Sequence, residues 1–206
     1  MITRKLNRLG IAGILLACLL LLAGCFSRNV PHVTYFSFLT MEQLGETDVL
    51  TTLPDVKLGI GPVTIPDRLK RAQIATRQQG NQYEFNEYHR WAGVLENDLT
   101  SVLGENLGQL LGTDKIDFFP WMNYFTPTYR IAIDIMRLDG ALEGEAVLSA
   151  RWAIAGTDGK EMLASGKNDY RQALGEASYA ALVKAESQMI AELSKVIAKE
   201  LASLAK

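Results

Sequence analysis

Cysteine and histidine are scarce in this chain of 206 residues. Only two cysteines occur, Cys18 and Cys25, and only two histidines, His32 and His89. Because both cysteines precede residue 26, the chain beyond them cannot form a disulfide, a thiolate nucleophile or a cysteine-based metal site. The histidines lie far apart and have no neighbouring His or Cys. No metal site is therefore predicted.

Catalytic motifs are also missing. The chain contains no G-x-S-x-G nucleophile elbow, P-loop, G-x-G-x-x-G dinucleotide loop or H-E-x-x-H zinc motif. One group of carboxylates is close in sequence: Asp134, Asp139, Glu143 and Glu145. The strand pattern turns Asp134 away from the apolar side and places the others at a hairpin, so we expect a solvated face or turn rather than a catalytic pair. The sequence predicts a protein that is not an enzyme and has no cofactor.

An excess of positive charge is the third feature that the chain lacks. It has 21 Lys and Arg against 23 Asp and Glu, a formal net charge of -2. The first 24 residues hold three basic and no acidic residues, so the rest has 18 against 23 and a formal charge near -5. A nucleic-acid-binding surface needs a basic patch or stripe. Nucleic acid is therefore not predicted as a partner.

The N-terminus has the pattern of a secretory signal. A basic head is followed by an apolar run over residues 9–22 and by Ala23-Gly24 directly before Cys25. The run is shorter than the roughly 18 residues of a spanning helix, which indicates a cleaved signal peptide. This order closely resembles the lipobox of bacterial lipoproteins, in which the cysteine is diacylated and the chain is cut before it. We predict a signal peptide over 1–24, lipid on Cys25 and a lipidated tether over 25–32.

The predicted lipid implies a location. Each buried acyl CH2 contributes about 0.8 kcal/mol, so two or more chains, such as palmitate, anchor a protein stably. Phe26 follows the cysteine, whereas an aspartate there often signals inner-membrane retention in Gram-negative lipoproteins. The sequence therefore favours the periplasmic face of the outer membrane. The alternative is an ordinary signal peptide with a cysteine near its cleavage site.

Residues 33–206 predict a single α+β domain. Strands are expected at 33–39, 56–60, 73–77, 82–85, 116–121, 129–138, 145–155 and 160–171. Apolar residues at three- and four-residue steps predict helices over 88–111 and 178–204. The last three strands form an antiparallel meander with one apolar face. We therefore predict a mainly antiparallel sheet, with a β-meander and two long helices packed on one face.

The sequence also predicts where these helices end and which of their residues face the sheet or the solvent. Asn86 is the expected N-cap of the first helix, and Gly112 is expected just after its end. Gly93, Gly104 and Gly108 weaken this helix by about 1 kcal/mol each relative to alanine, which suggests that they permit close packing on the sheet. Glu186 is expected on the polar side of the second helix.

Aromatic residues are concentrated between positions 118 and 129. They are Phe118, Phe119, Trp121, Tyr124, Phe125 and Tyr129. Two interpretations remain open. Either most of these side chains fill the core, or Trp121, Tyr124 and Phe125 lie in an exposed loop that binds a partner or acyl chains.

A second candidate contact is a Pro-Asp turn after the strand predicted at 56–60. It consists of Pro66, Asp67, Arg68 and Leu69. A turn at the end of a strand would direct side chains outward from a rigid support.

The chain resembles the ABC-type transport auxiliary lipoproteins of the PqiC/YmbA type, from the lipobox to the final helix. The most specific part is LGIGPVTIPDRL over residues 58–69, followed by QIATR over 73–77. Further matches are Arg90-Trp91-Ala92 with Leu95, Asn106-Leu107 and Arg151-Trp152. The chain departs from the family pattern at Arg68, where a tyrosine is common, and at Gly93, where glutamate or serine is common.

The resemblance implies a non-enzymatic outer-membrane lipoprotein. Such a protein works with an inner-membrane-anchored MCE-domain protein that spans the periplasm. Together with integral inner-membrane subunits, they move lipid between membranes and support envelope integrity. The resemblance leaves open whether the protein forms a homo-oligomer or binds phospholipid directly.

Two other functions remain as alternatives on the residues alone. One is a membrane-tethered periplasmic hydrolase, which an apolar pocket with converging ionisable groups would favour. The other is a structural lipoprotein that binds another envelope component. A flat or ring-forming surface would favour the transport component instead.

Overall fold

The computed structural model describes residues 31–78 and 80–206. The predicted signal peptide, Cys25 and most of the predicted tether lie outside the described residues. Residues 33–206 form one unit by their internal contacts. None of the described helices is long and apolar enough to cross a membrane.

Strands outnumber helices in the described part of the chain. The strands are β1 (Thr34–Phe36), β2 (Leu58–Thr64), β3 (Gln73–Arg77), β4 (Tyr83–Trp91), β5 (Ile116–Phe118), β6 (Tyr129–Gly140), β7 (Glu145–Ala155) and β8 (Met162–Ala173). The α-helices are α1 (Leu95–Leu111) and α2 (Tyr179–Leu204), and a short 3-10 helix spans Asp67–Leu69. Both the α+β class and the antiparallel β6–β7–β8 meander are confirmed.

Strand β6 is the centre of the sheet. Along one edge it pairs antiparallel with β7, with Ile131 opposite Ile154. Along the other edge it pairs first with β2 and then, at Gly140 opposite Thr76, with β3. Strand β5 extends the sheet beyond β2, and β4 and β1 extend it beyond β3. The β2–β6, β2–β5, β3–β6 and β1–β4 pairs are parallel, so the sheet is mixed.

The two helices pack against each other and cover one face of this sheet. Helix α2 lies on the meander, while α1 lies on β2 and β5. Every second residue of β6 faces the helices, and Ile131, Ile133 and Ile135 are buried. Because a fully buried aliphatic side chain contributes about 1.5–3 kcal/mol, this alternation fixes which face of the meander turns inward.

The first helix begins later than its apolar pattern predicts. Residues 83–91 form β4, which pairs with β3 and β1, and α1 begins only at Leu95. The prediction of a helix over 88–94 with Asn86 as its N-cap is therefore wrong. Trp91 is nevertheless buried, because it packs against Phe38 with 4.8 Å between ring centroids.

The predictions about the end and the packing face of α1 are confirmed. Gly112 ends the helix in the left-handed conformation, with φ of 56°, which glycine adopts without steric cost. A Cβ atom at Gly104 would lie 2.6 Å from the ring of Phe118, and one at Gly108 would lie 2.8 Å from Ile116. Both glycines thus let α1 approach β5 closely. Gly93 precedes the helix and has no atom within 4 Å of a Cβ built on it, so its predicted role in close packing is wrong.

Candidate partner-binding surface

The loop between β5 and β6 is held in one shape by its own polar groups. The carboxylate of Asp117 accepts the backbone N–H of Phe118 at 2.9 Å and that of Met122 at 3.0 Å. The N–H of Phe119 donates to the carbonyl of Ile60 at 2.9 Å, and the N–H of Phe125 to that of Met122 at 2.8 Å. These bonds fix the loop to β2 and close a turn within it.

Trp121 anchors the loop to the sheet. Its ring lies over Gly59, where a Cβ atom would be 3.2 Å from the indole and 2.7 Å from Pro127. Phe119 meets the indole edge-on, with 5.2 Å between centroids. The guanidinium carbon of Arg130 lies 5.6 Å from the ring centroid, a distance at which the ring attracts a cation. Trp121 is half-buried between these groups.

The rest of the loop presents apolar side chains to solvent. The exposed fraction is 84% for Tyr124, 57% for Met122, 54% for Phe119 and 40% for Phe118. We call Phe118, Phe119, Trp121, Met122 and Tyr124 the aromatic platform. Exposed apolar side chains are typical of interaction sites. Of the three residues predicted to lie in an exposed loop, Tyr124 is exposed, whereas Trp121 and Phe125 are half-buried. Tyr129 belongs to β6 and donates its hydroxyl to the carbonyl of Leu204 at 3.1 Å.

The Pro-Asp turn is present but directs its side chains in different directions. Asp67 is exposed and pairs with Lys70 at 3.0 Å. Arg68 is half-buried, and its Nη2 donates to the carbonyl of Met136 at 3.0 Å. Leu69 is 4% exposed and belongs to the core, so its side chain is not available to a partner. A contact role for Pro66, Asp67 and Arg68 stays a prediction.

The two candidate surfaces lie at different levels of the sheet. Strand β5 ends at Phe118, which lies opposite Ile60 of β2. Strand β2 continues to Thr64 before the turn begins. Four further residues at about 3.3 Å each place the turn roughly 13 Å beyond the end of β5. The platform and the turn are therefore described as separate surfaces.

A buried charge cluster at the end of β6 was missed by the sequence analysis. The side chain of Asp139 is fully buried and accepts hydrogen bonds from Nε of Arg137 at 2.9 Å, Nη2 of Arg77 at 3.2 Å and the hydroxyl of Tyr83 at 2.8 Å. Burial alone would raise the pKa of Asp139, but these donors together lower it below its ordinary value. The prediction of a solvated turn is wrong for Asp139.

Glu186 of α2 is buried beside this cluster. It is 1% exposed, so its predicted position on the polar side of the helix is wrong. Burial, with a smaller effect of the negative charge of Asp139, raises the pKa of Glu186 to about 8. The sequence did carry a signal: Glu186 lies four residues from both Leu182 and Ile190, which are themselves in the apolar stripe.

The remaining carboxylates of the group near β6 are not buried. Asp134 is exposed and accepts the hydroxyl of Thr64 at 2.8 Å. Glu143 is exposed, and Glu145 pairs with Arg171 at the surface. Within residues 31–78 and 80–206, no three His, Cys, Asp or Glu side chains are grouped so that they could hold a metal ion.

These features define an α+β domain with exposed apolar side chains in the loop between β5 and β6. The family model of the ABC-type transport auxiliary lipoprotein component matches residues 39–198. The chain belongs to this family, which confirms the resemblance drawn from residues 58–69 and the later motifs. The protein is thus an auxiliary lipoprotein component of ABC-type transport, which implies a membrane-anchored, periplasmic protein that associates with a transporter.

Two crystal structures share the fold. One, of an uncharacterized protein, is 18% identical, with a TM-score of 0.65 over 82% of this chain and 99% of that one. The other, of a protein from Xanthomonas campestris assigned to the DUF330 family, is 14% identical, with a TM-score of 0.59 over 76% of this chain and 98% of that one. No match was found among curated proteins.

Proposed function

We propose that this protein is the outer-membrane lipoprotein component of an MCE-type intermembrane lipid transport system. Lipid on Cys25 anchors it to the periplasmic face of the outer membrane. Its folded domain binds and positions the MCE-domain protein that spans the periplasm, and in this way supports envelope integrity. The observation that carries the proposal is the exposed aromatic platform on a chain of the transport auxiliary lipoprotein family.

The platform has the composition of an interface centre. Aromatic side chains supply much of the binding energy at protein interfaces, and Tyr124 and Phe119 are both more than half exposed. Burying a large apolar side chain fully contributes about 1.5–3 kcal/mol. Because Asp117 and Trp121 already fix the loop, a partner would have little loop motion to restrict, which lowers the cost of binding.

The chemistry of the platform favours binding over catalysis. The carboxylate of Asp117 is occupied by two backbone N–H groups. The guanidinium of Arg130 lies beside Trp121 and supplies neither a nucleophile nor a general base. The platform side chains themselves are apolar or phenolic. This supports a protein that acts by positioning its partner.

The proposal is tested by measuring binding of the purified domain to the periplasmic part of the MCE partner. Tyr124→Ser and Phe119→Ser should each weaken the affinity, about tenfold for every 1.4 kcal/mol of lost contact. The matched control is Met162→Ser, which removes an apolar side chain 67% exposed at the start of β8. Unchanged affinity in both platform variants would remove the platform from the proposal.

The Pro-Asp turn needs a different substitution from the platform. Arg68→Glu would lose the bond to the carbonyl of Met136 and place a carboxylate at a half-buried position, so a binding defect could reflect altered structure. Asp67→Lys instead changes a side chain that is 95% exposed. Weaker partner binding by this variant, with an unchanged unfolding midpoint, would assign the turn to the interface.

A further inference from the structure

We infer that the β1–β4 edge of the sheet lies against the phospholipid headgroups of the membrane that carries the lipid anchor. The aromatic platform, which lies on the same side of β6 but farther along the strand direction, then faces the periplasm. This inference rests on the proposed acylation of Cys25. It adds to the proposed function an orientation and a second contact, made with lipid rather than with a protein.

The β1–β4 edge carries exposed apolar side chains of its own. Tyr35 of β1 is 61% exposed, Tyr88 of β4 is 40% exposed, and Val94, just after β4, is 57% exposed. Strand β1 pairs only with β4 in the described part of the sheet. No described element covers these three side chains.

The helix-facing side of the same two strands is packed. His89 stacks on Tyr179 of α2 with 4.0 Å between ring centroids, and Phe36 stacks on His89 at 6.2 Å. Tyr35, the neighbour of Phe36, lies opposite Arg90 and points to the other side of the strand, because side chains alternate along a strand. Its exposure therefore follows from the geometry of β1.

The length of the chain before β1 limits how far this edge can be from the bilayer. Thr34, the first residue of β1, is nine positions after Cys25. At no more than about 3.4 Å per residue, β1 begins within roughly 30 Å of the acylated residue. Strands β2 and β3 both pair with the edge of β6 that β7 does not occupy, so β1 and β5 lie on the same side of β6. The pairing registers place Tyr35 level with Arg137 of β6 and Phe118 level with Ile131. Six residues at about 3.3 Å each therefore separate β1 from the platform by roughly 20 Å along the strand direction.

The chemistry of the edge suits a bilayer interface. Tyrosine is enriched where an apolar ring meets the headgroups and its hydroxyl meets water. Of the nearby cations, Arg90 is paired with Glu87 at 2.6 Å, and the guanidinium carbon of Arg71, near Val94, lies 4.3 Å from the ring centroid of Phe85. Because each is engaged with another side chain, we expect the rings to make the contact without dependence on anionic lipid.

Single cysteines provide a direct test, because the chain has no cysteine after Cys25 and acylation blocks that thiol. Acylated full-length protein carrying Tyr35→Cys, Tyr124→Cys or Met162→Cys is labelled with a polarity-sensitive fluorophore. It is then reconstituted into phosphatidylethanolamine vesicles, with or without phosphatidylglycerol, that contain a headgroup-nitroxide lipid. We expect a blue shift and quenching at position 35 in both vesicle types, and the emission of free solution at positions 124 and 162.

Each other outcome contradicts a defined part of the inference. Co-flotation with vesicles but no quenching at position 35 would overturn the orientation and leave the anchor intact. Quenching at 124 instead of 35 would assign the membrane contact to the aromatic platform. Quenching at 35 only with phosphatidylglycerol would refute a contact made by tyrosine rings. Failure to co-float would refute the anchor itself, and with it the proposed function.

Discussion

Glu186 and Asp139 are two buried carboxyl groups that the fold holds in different protonation states. Asp139 receives hydrogen bonds from Arg77, Arg137 and Tyr83, and these stabilise its charge. No described protein group hydrogen-bonds Oε2 of Glu186, so burial favours its neutral form. At neutral pH the charge of this cluster is therefore carried by Asp139 and the arginines.

The raised pKa of Glu186 predicts a pH-dependent stability. Folding shifts this pKa from 4.5 to about 8, so between these values the folded state binds the proton more tightly than the unfolded state. The stabilisation is complete below pH 4.5 and is lost as the pH rises to 8. The free energy of unfolding should fall by up to about 1.4 kcal/mol per pH unit in this window. Urea unfolding at several pH values measures it.

Glu186→Gln supplies the test, because the amide resembles the neutral acid. Its free energy of unfolding should vary less between pH 5 and 8 than that of the wild type, because the amide does not titrate. Any stability advantage of the wild type at pH 5 should therefore shrink or reverse by pH 8. Glu200→Gln, at an exposed position on the same helix, is the control and should keep the wild-type slope. Equal slopes in all three proteins would contradict a buried neutral Glu186.

At the scale of the secondary-structure element, helix α1 connects the core to the aromatic platform. Its apolar side is buried, with Leu99, Leu103 and Leu107 fully inaccessible. Its glycine side lies against Ile116 and Phe118 of β5. The position of Phe118 in the platform thus depends on how closely α1 packs on β5.

Leu99→Ala should destabilise the domain by about 2–5 kcal/mol, because it removes a fully buried side chain and leaves a cavity. Val94→Ala, which changes an exposed side chain just before the same helix, should alter stability by less than about 0.5 kcal/mol. Urea denaturation of both variants measures the difference. If Leu99→Ala had the midpoint of the wild type, α1 would not pack on the core as described.

At the boundary between β4 and α1, strand pairing overrides the helical pattern of the local sequence. The spacing of Tyr88, Trp91 and Leu95 fits a helix, but β4 continues to Trp91 because β1 and β3 pair with it on both sides. Helix α2 has no such competitor. Ser178 caps it by accepting the N–H of Ala181 at 3.1 Å, and its predicted span over 178–204 is confirmed.

At the scale of the whole molecule, anchoring and folding should be separable. Cys25 precedes the unit formed by residues 33–206, so Cys25→Ser should release the protein from the membrane and leave the free energy of unfolding of its domain unchanged. Metabolic labelling with a fatty acid, followed by membrane fractionation, measures the first effect. Label that remained on Cys25→Ser would contradict acylation at this residue.

The sequence by itself determined the features that depend on local order. Alternating apolar residues defined the meander, three- and four-residue steps defined α2 and most of α1, and Gly112 marked the end of α1. The motif over residues 58–69 indicated the family that the comparison then established. Each of these features is set by neighbouring residues, so it could be predicted without knowledge of distant contacts.

Only the tertiary structure decided which side chains remain exposed and which carboxylates are buried. The aromatic cluster divides into exposed side chains such as Tyr124 and half-buried ones such as Trp121 because Gly59, distant in sequence, receives the indole. Asp139 is buried because Arg77 and Tyr83 of the β3–β4 hairpin reach it. These outcomes depend on contacts between residues more than fifty positions apart, which local periodicity does not encode.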